Sequence, residues 1–247
     1  MDNRKQSEKE FHNEAFSTNK REKLNVFYSI TQQSSEFYIQ NVLLNSKDNS
    51  VLEYGCGVGS MAFDLAEGGA KVTAIDISES GIDIAKDIAK KRNLEIEFFV
   101  MDAEATEFPD SSFDCVCGSG ILHHLDLETS YKEIRRLVRH NGKAVFSEPL
   151  AHNPLINIYR ILTPSLRTKD EHPLKVKDVK KLSDYFDNVE ANYFNLLTLF
   201  AIPFAKTNYF KSILNVLTKL DNKFLKIFPF MKRYCWTVIL ILKNPKK

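Results

Sequence analysis

Three carboxylates stand at the ends of three short apolar runs: Glu53 after Val51-Leu52, Asp76 after Val72-Thr73-Ala74-Ile75, and Asp102 after Ile96-Glu97-Phe98-Phe99-Val100-Met101. Between the first two runs lies Gly55-Cys56-Gly57-Val58-Gly59, whose alternate glycines reach positive φ cheaply and let a ligand approach the backbone without a Cβ in the way. A strand, a glycine turn and a helix over about 58–67 form a cradle for a nucleotide-like ligand. Asp76 follows Gly55 by 21 residues, the place from which a carboxylate accepts both hydroxyls of a ribose. A pyrophosphate site would instead offer helix-terminal N–H groups to an anion, and Glu53 beside the turn argues against that. Ser60 also stands where a dinucleotide motif needs its third glycine. The ligand that matches is an adenosine whose other end is cationic.

A second set of reactive side chains follows the fourth apolar run. His123 and His124 come directly after Gly118-Ser119-Gly120, and the stretch beyond the fifth run carries Glu148, His152, Asn153, Arg160, Arg167 and His172. His124, Glu148, His152 and His172 are candidate proton acceptors. Arg160 and Arg167 can hold an anionic group bidentately, or can form an ion-pair network with Asp170 and Glu171 that pins the loop. Adjacent histidines on a helix point about 100° apart, and no Cys or acidic residue lies near them in sequence at ligand spacing, so no metal site is read here.

Together these features resemble the class I S-adenosylmethionine-dependent methyltransferases of bacterial small-molecule type. The resemblance rests on Glu53-x-Gly55-x-Gly57-x-Gly59, on Ala74-Ile75-Asp76-Ile77-Ser78, on Asp102-Ala103, and on Phe113-Asp114-Cys115-Val116-Cys117 running into Leu122-His123-His124-Leu125. It covers roughly residues 49–150. It implies S-adenosylmethionine as cofactor, with S-adenosylhomocysteine as product, bound by Glu53, Gly55, Gly57, Gly59, Asp76, Ile77, Asp102, Ala103, Gly118 and His123. It also implies a Rossmann-like α/β fold with a seven-stranded sheet, helices on both faces and an antiparallel last strand.

The elements that must position these groups can be read from pattern. Residues 78–92 predict a helix with Ser78 as N-cap and a basic carboxyl end, and 127–140 a helix stopped by Asn141-Gly142. Further strands are expected at 113–117, 143–148, about 189–196 and 235–243, with a helix at about 178–186. The organisation expected is a tail and lid over 1–45, with Phe27 and Tyr28 as pocket liners. A methyltransferase domain over 46–247 then contains a substrate loop at 149–177, where Asn153, Arg160 and Arg167 face the acceptor, and a cap at 197–233. That cap interleaves Phe200, Phe204, Tyr209, Phe210, Phe224, Phe228 and Phe230 with seven basic residues against one acid, Asp221.

A chain of 247 residues with a net charge of +2 supports one sizeable α/β core and no strongly basic nucleic-acid surface. The four cysteines form no Cys-x-x-Cys pair and read as apolar fillers in a reducing compartment. The amino-terminal residues lack an apolar leader and the chain has no spanning stretch, which predicts a cytoplasmic protein. The function expected is methyl transfer to an O, N or C nucleophile of a small molecule. The cap at 197–233 is the expected place of any peripheral contact with anionic lipid. Two other classes fit less well: a non-catalytic adenosylmethionine-binding or lipid-associated module, and an NAD-dependent oxidoreductase.

Overall fold

β1 (Ser50–Tyr54) is buried on both faces, and its neighbours close around it as a near-continuous apolar layer. In the computed structural model, which describes residues 3–17, 28–168 and 170–247, it joins β2 (Lys71–Asp76), β3 (Ile96–Val100), β4 (Phe113–Ser119), β5 (Val138–Pro149), β6 (Phe186–Phe194) and β7 (Thr237–Pro245). The sheet order is β3-β2-β1-β4-β5-β7-β6, and β7 runs antiparallel to both neighbours while β1 to β5 are parallel. This is the Rossmann-like methyltransferase sheet that the motifs imply. One face packs Leu52, Tyr54, Val116 and Phe146 against α5 (Leu127–Leu137); the other packs Val51, Cys115, Cys117 and Val145 with α2 (Gln32–Leu43), α3 (Ser60–Glu67) and α4 (Glu79–Arg92). All four cysteines are buried and free.

Local chemistry sets the helix limits. Gly59, at φ 87°, stands at the N-cap of α3, and the Ser78 side chain accepts from Gly81 N–H to cap α4. Asn93, in the left-handed region, ends α4. The end of α5 differs from the sequence expectation: the helix stops at Leu137, not at Asn141-Gly142, because Val138 already pairs with Phe113 as the start of β5. Gly142 then lies at the register shift of that strand, where an added Cβ would come 2.8 Å from the Asp114 carbonyl oxygen.

The segment expected as a loop at 149–177 contains a helix, α6 (Pro154–Leu162), and a short 3-10 turn, Pro164–Leu166. α7 is the short Val176–Lys181, followed by a 3-10 turn at Leu182–Asp184, so the helix expected over 178–186 lies earlier and is broken. The cap is built from a 3-10 stretch at Thr198–Phe204, α8 (Phe210–Ile227) and a 3-10 turn at Pro229–Tyr234. Its lone acid, Asp221, is buried and accepts from Leu196, Leu197 and Thr198 N–H. The residue that reads as an exception to a basic surface is therefore the bolt that fastens α8 to the end of β6. At the other terminus α1 (Asn3–Ser17) lies across the carboxyl edge of the sheet, touching α4. No described helix is long and apolar enough to cross a membrane.

Candidate active site

Parallel strands bring their carboxyl ends to one edge, and there the acids and the glycine turn meet in a cavity of about 620 Å³. Glu53, Gly55, Gly57, Asp76, Ile77, Asp102, Ala103 and His123 all line it. Gly55 and Gly57 have φ of 73° and 53°, so each needs the freedom of glycine. A Cβ at Gly55 would meet Ile121 Cδ1 at 2.6 Å, and one at Gly57 would meet the Phe16 ring at 2.9 Å. Gly59 and Gly118 belong to the same turns without lining the cavity. A Cβ on Gly118 would collide with the Tyr54 carbonyl oxygen at 2.7 Å, so its glycine serves strand packing, and Ser119 and Gly120 take the cavity wall.

The three acids differ in state. The Asp76 carboxylate accepts from Gly57 N–H at 2.7 Å and Ser78 N–H at 2.8 Å, tying the glycine turn to the end of β2. Asp102 accepts from Glu104 N–H and pairs with Lys5 of α1 at 2.6 Å. Glu53 is buried and accepts from Ala62 N–H, and burial pushes its carboxyl up to about 8. It is then mostly protonated at neutral pH. Its effect against a phosphate then comes from occupying the Ala62 N–H at the amino end of α3 rather than from charge. Asp76, Asp102 with Ala103, and the open glycine backbone form a donor and acceptor set that fits an adenosine with a cationic tail.

Beside this cradle a second constellation closes the cavity. Glu148, at the end of β5 and 1% exposed, accepts from Ile121 N–H (2.9 Å) and Leu122 N–H (2.8 Å) and sits 2.7 Å from His123 Nδ1. A carboxylate only accepts, so in a neutral ring the tautomer that fits has its proton on Nδ1 and its lone pair on Nε2. His123 Nε2 lies 3.8 Å from Glu171 Oε1, and Glu171 is held by Arg160 at 2.6 Å. Arg167 donates to the carbonyl oxygens of Arg160 and Thr163. Both arginines line the cavity, so the ion-pair network and the cavity wall are the same residues. Asp170 takes no described part in it. His124 turns its Nδ1 to Glu8 of α1.

Other expected residues fall elsewhere. Tyr28 lines the cavity and stacks on Trp236, whereas Phe27 lies outside the described residues. Asn153 is the N-cap of α6, accepting from Leu155 and Ile156 N–H and donating to the Tyr234 carbonyl oxygen, which commits it to structure. His152 faces a separate surface hollow near Val176. His172 is exposed, with its ring on the Asp170 carbonyl oxygen and its N–H on the His123 carbonyl oxygen. Neither histidine lines the cavity.

Sequence reasoning missed the contribution of α1. Arg4 bonds Glu104 and the His124 carbonyl oxygen, Lys5 bonds Asp102 and Glu104, and Asn13 Oδ1 accepts from Ser78 Oγ. Sequence reading gave residues 1–10 as a solvated tail and placed an apolar helical side only from Phe11 onward, so the polar contacts of α1 went unread.

Residues 52–146 match the family described as "Methyltransferase domain". The ubiquinone biosynthesis O-methyltransferase of Coxiella burnetii is 32% identical over 126 residues, 51% of this chain and 53% of that protein. The demethylmenaquinone methyltransferase of Lactococcus lactis is 35% identical over 116 residues, 45% of each chain. These alignments span about half the length of the curated relatives. Phosphoethanolamine N-methyltransferase 2 of Haemonchus contortus, solved with phosphomonomethylethanolamine and S-adenosylhomocysteine, superposes with a TM-score of 0.66 at 15% identity over 96% of this chain and 60% of that one. The YcgJ protein of Bacillus subtilis gives 0.58 at 16% identity over 85% and 99%. At such identities the likeness is one of fold.

Proposed function

We propose that this chain, which carries a class I S-adenosylmethionine-dependent methyltransferase domain, methylates a small apolar acceptor bearing an ionisable hydroxyl, such as a phenol or quinol. The observation that carries this is the meeting, in one cavity, of the adenosine-fitting acids with the Glu148–His123 pair. Phe11, Ile39, Met61, Ile156, Tyr159 and Trp236 supply apolar walls for a ring. The names of the two quinone-pathway relatives agree with such an acceptor.

The cofactor supplies, when bound, a sulfonium methyl already activated for displacement. The protein's work is therefore alignment, exclusion of water and removal of one proton. Asp76 would hold the ribose and Asp102 with Ala103 the adenine. His123 Nε2 would take the acceptor's proton, and Glu148, bonded to Nδ1, would orient the ring and stabilise the imidazolium. In this reading Glu148 acts through His123 rather than as a base, and His152 and His172 have no part.

Glu148→Gln keeps the shape and removes the charge. Turnover of a phenolic or quinol acceptor should fall about 10²–10⁴-fold while S-adenosylhomocysteine affinity, measured by calorimetry, stays within about twofold. Unchanged turnover would remove the His123 assignment.

Peripheral lipid contact through 197–233 has one supporting observation. Phe200, Tyr209, Ile227 and Phe230 are exposed alongside Lys206, Lys211, Lys219 and Lys226. Sedimentation with anionic but not neutral vesicles would support it; no sedimentation with either would end it.

A further inference from the structure

Glu8 and His12 lie one turn apart on α1, so their side chains share a face. That face meets His124, in the 3-10 turn after β4. Glu8 Oε2 is 3.1 Å from His124 Nδ1 and 3.5 Å from His12 Nε2, and the three donor atoms all lie within 4.8 Å of one another. The His12 and His124 rings meet edge to face at 5.2 Å.

The 3.1 Å approach is not a hydrogen bond. Glu8 Oε2 and His124 Nδ1 are both buried, and neither has a hydrogen-bond partner among the described residues. Two buried polar atoms left without a partner are costly. A four-coordinate ion resolves the arrangement. Zinc-class bonds of about 2.0–2.1 Å at tetrahedral angles set ligand atoms about 3.3–3.4 Å apart, close to both edges that run from Glu8.

The surroundings suit the assignment. Thr168 Oγ1 donates to Glu8 Oε1, which turns the other oxygen, Oε2, toward the histidines, as outer-shell donors do for metal-bound carboxylates. Arg4 and Lys5, on the same helix, are bound to Glu104 and Asp102. All three ligands line the large cavity.

We propose that Glu8, His12 and His124 form a site for a four-coordinate divalent transition ion of the zinc class, with its fourth position open to the cavity. Two neutral imidazoles and one carboxylate are the donor set. The ion joins α1 to the turn after β4, and so fastens the helix that covers Asp102 and the glycine turn. The ligand set is separate from the Glu148–His123 pair, and its test reads metal rather than methyl transfer.

The test is titration of metal-stripped protein with Co²⁺, followed in the visible region, and then competition by Zn²⁺. One equivalent should give the intense absorption of four-coordinate Co²⁺, displaced by Zn²⁺. Glu8→Gln and His12→Gln should each weaken binding at least about tenfold, and His172→Ala, an exposed control, should leave it unchanged. Absence of the band in the wild type overturns the proposal and leaves a carboxylate paired with a protonated histidine. Binding that survives both ligand substitutions, or falls equally in His172→Ala, also overturns it.

Discussion

The cofactor cradle and the acceptor side share one cavity but are built on different principles. The cradle comes from β1 to β4 and the turns that follow them, each acid a few residues from the strand that carries it. The acceptor side gathers α1, the His123–His124 turn, the end of β5, α6 and Trp236 from across the chain. A local site depends on the sheet alone. An assembled one depends on whatever fastens distant segments, and here the fastenings are acids: the buried Glu8, Glu148 and Asp221 and the half-buried Glu171.

This contrast makes ordered predictions. The largest effect should come from Glu53, deep in the cradle. Its carboxyl is raised from the ordinary range to about 8, so the folded form holds the proton more tightly than the unfolded chain. Stability should therefore fall as pH rises from about 4.5 toward 8 and level off above it, by about 3–5 kcal/mol at most. Glu53→Gln, which can still accept from Ala62 N–H, should flatten that decline in urea unfolding measured at several pH values. An equal slope in the variant would mean that Glu53 is ionised in the fold.

Next is Asp76→Asn, expected to weaken S-adenosylmethionine binding about 10²-fold by calorimetry if its carboxylate is the proposed acceptor for the ribose hydroxyls. Affinity within threefold of wild type would break the reading of the cradle. On the acceptor side, Asp221→Ala leaves the N–H groups of Leu196, Leu197 and Thr198 without their acceptor and should cost about 2–4 kcal/mol. It should leave cofactor affinity unchanged; a loss of both together would show that the two regions are not separable. The smallest effect belongs to Lys5→Ala. Lys5 shares Asp102 with the expected adenine position through a partly exposed pair, so its removal should raise cofactor affinity by no more than about fivefold. Weaker binding would mean that α1 supports the cofactor rather than competing with it.

The difference also explains what was legible. Strand ends and glycine turns are short-range features, so the acids, the helix caps at Ser78 and the antiparallel closing strand could be read from pattern and resemblance. Boundaries failed where pairing overrode local preference: α5 yields to β5 at Val138 because Phe113 offers a partner, and Asn141-Gly142 becomes a bulge inside the strand. The stretch at 149–177 reads as a loop, with Pro154 inside it. That proline is the first residue of α6, where its missing N–H costs nothing.

By itself the sequence determined the sheet, the glycine turn and the identity of the acids at its edge, because β-strand burial and turn conformation depend on neighbouring residues. Which histidine faces a carboxylate was decided only in three dimensions. His123 and His124 are adjacent and alike in sequence, yet one meets Glu148, 25 residues on, and the other meets Glu8, 116 residues back. No spacing rule connects such pairs, since their meeting is set by how α1 and β5 pack on the same edge of the sheet. For the same reason Glu8 reads as one more charge in a polar tail until the fold buries it.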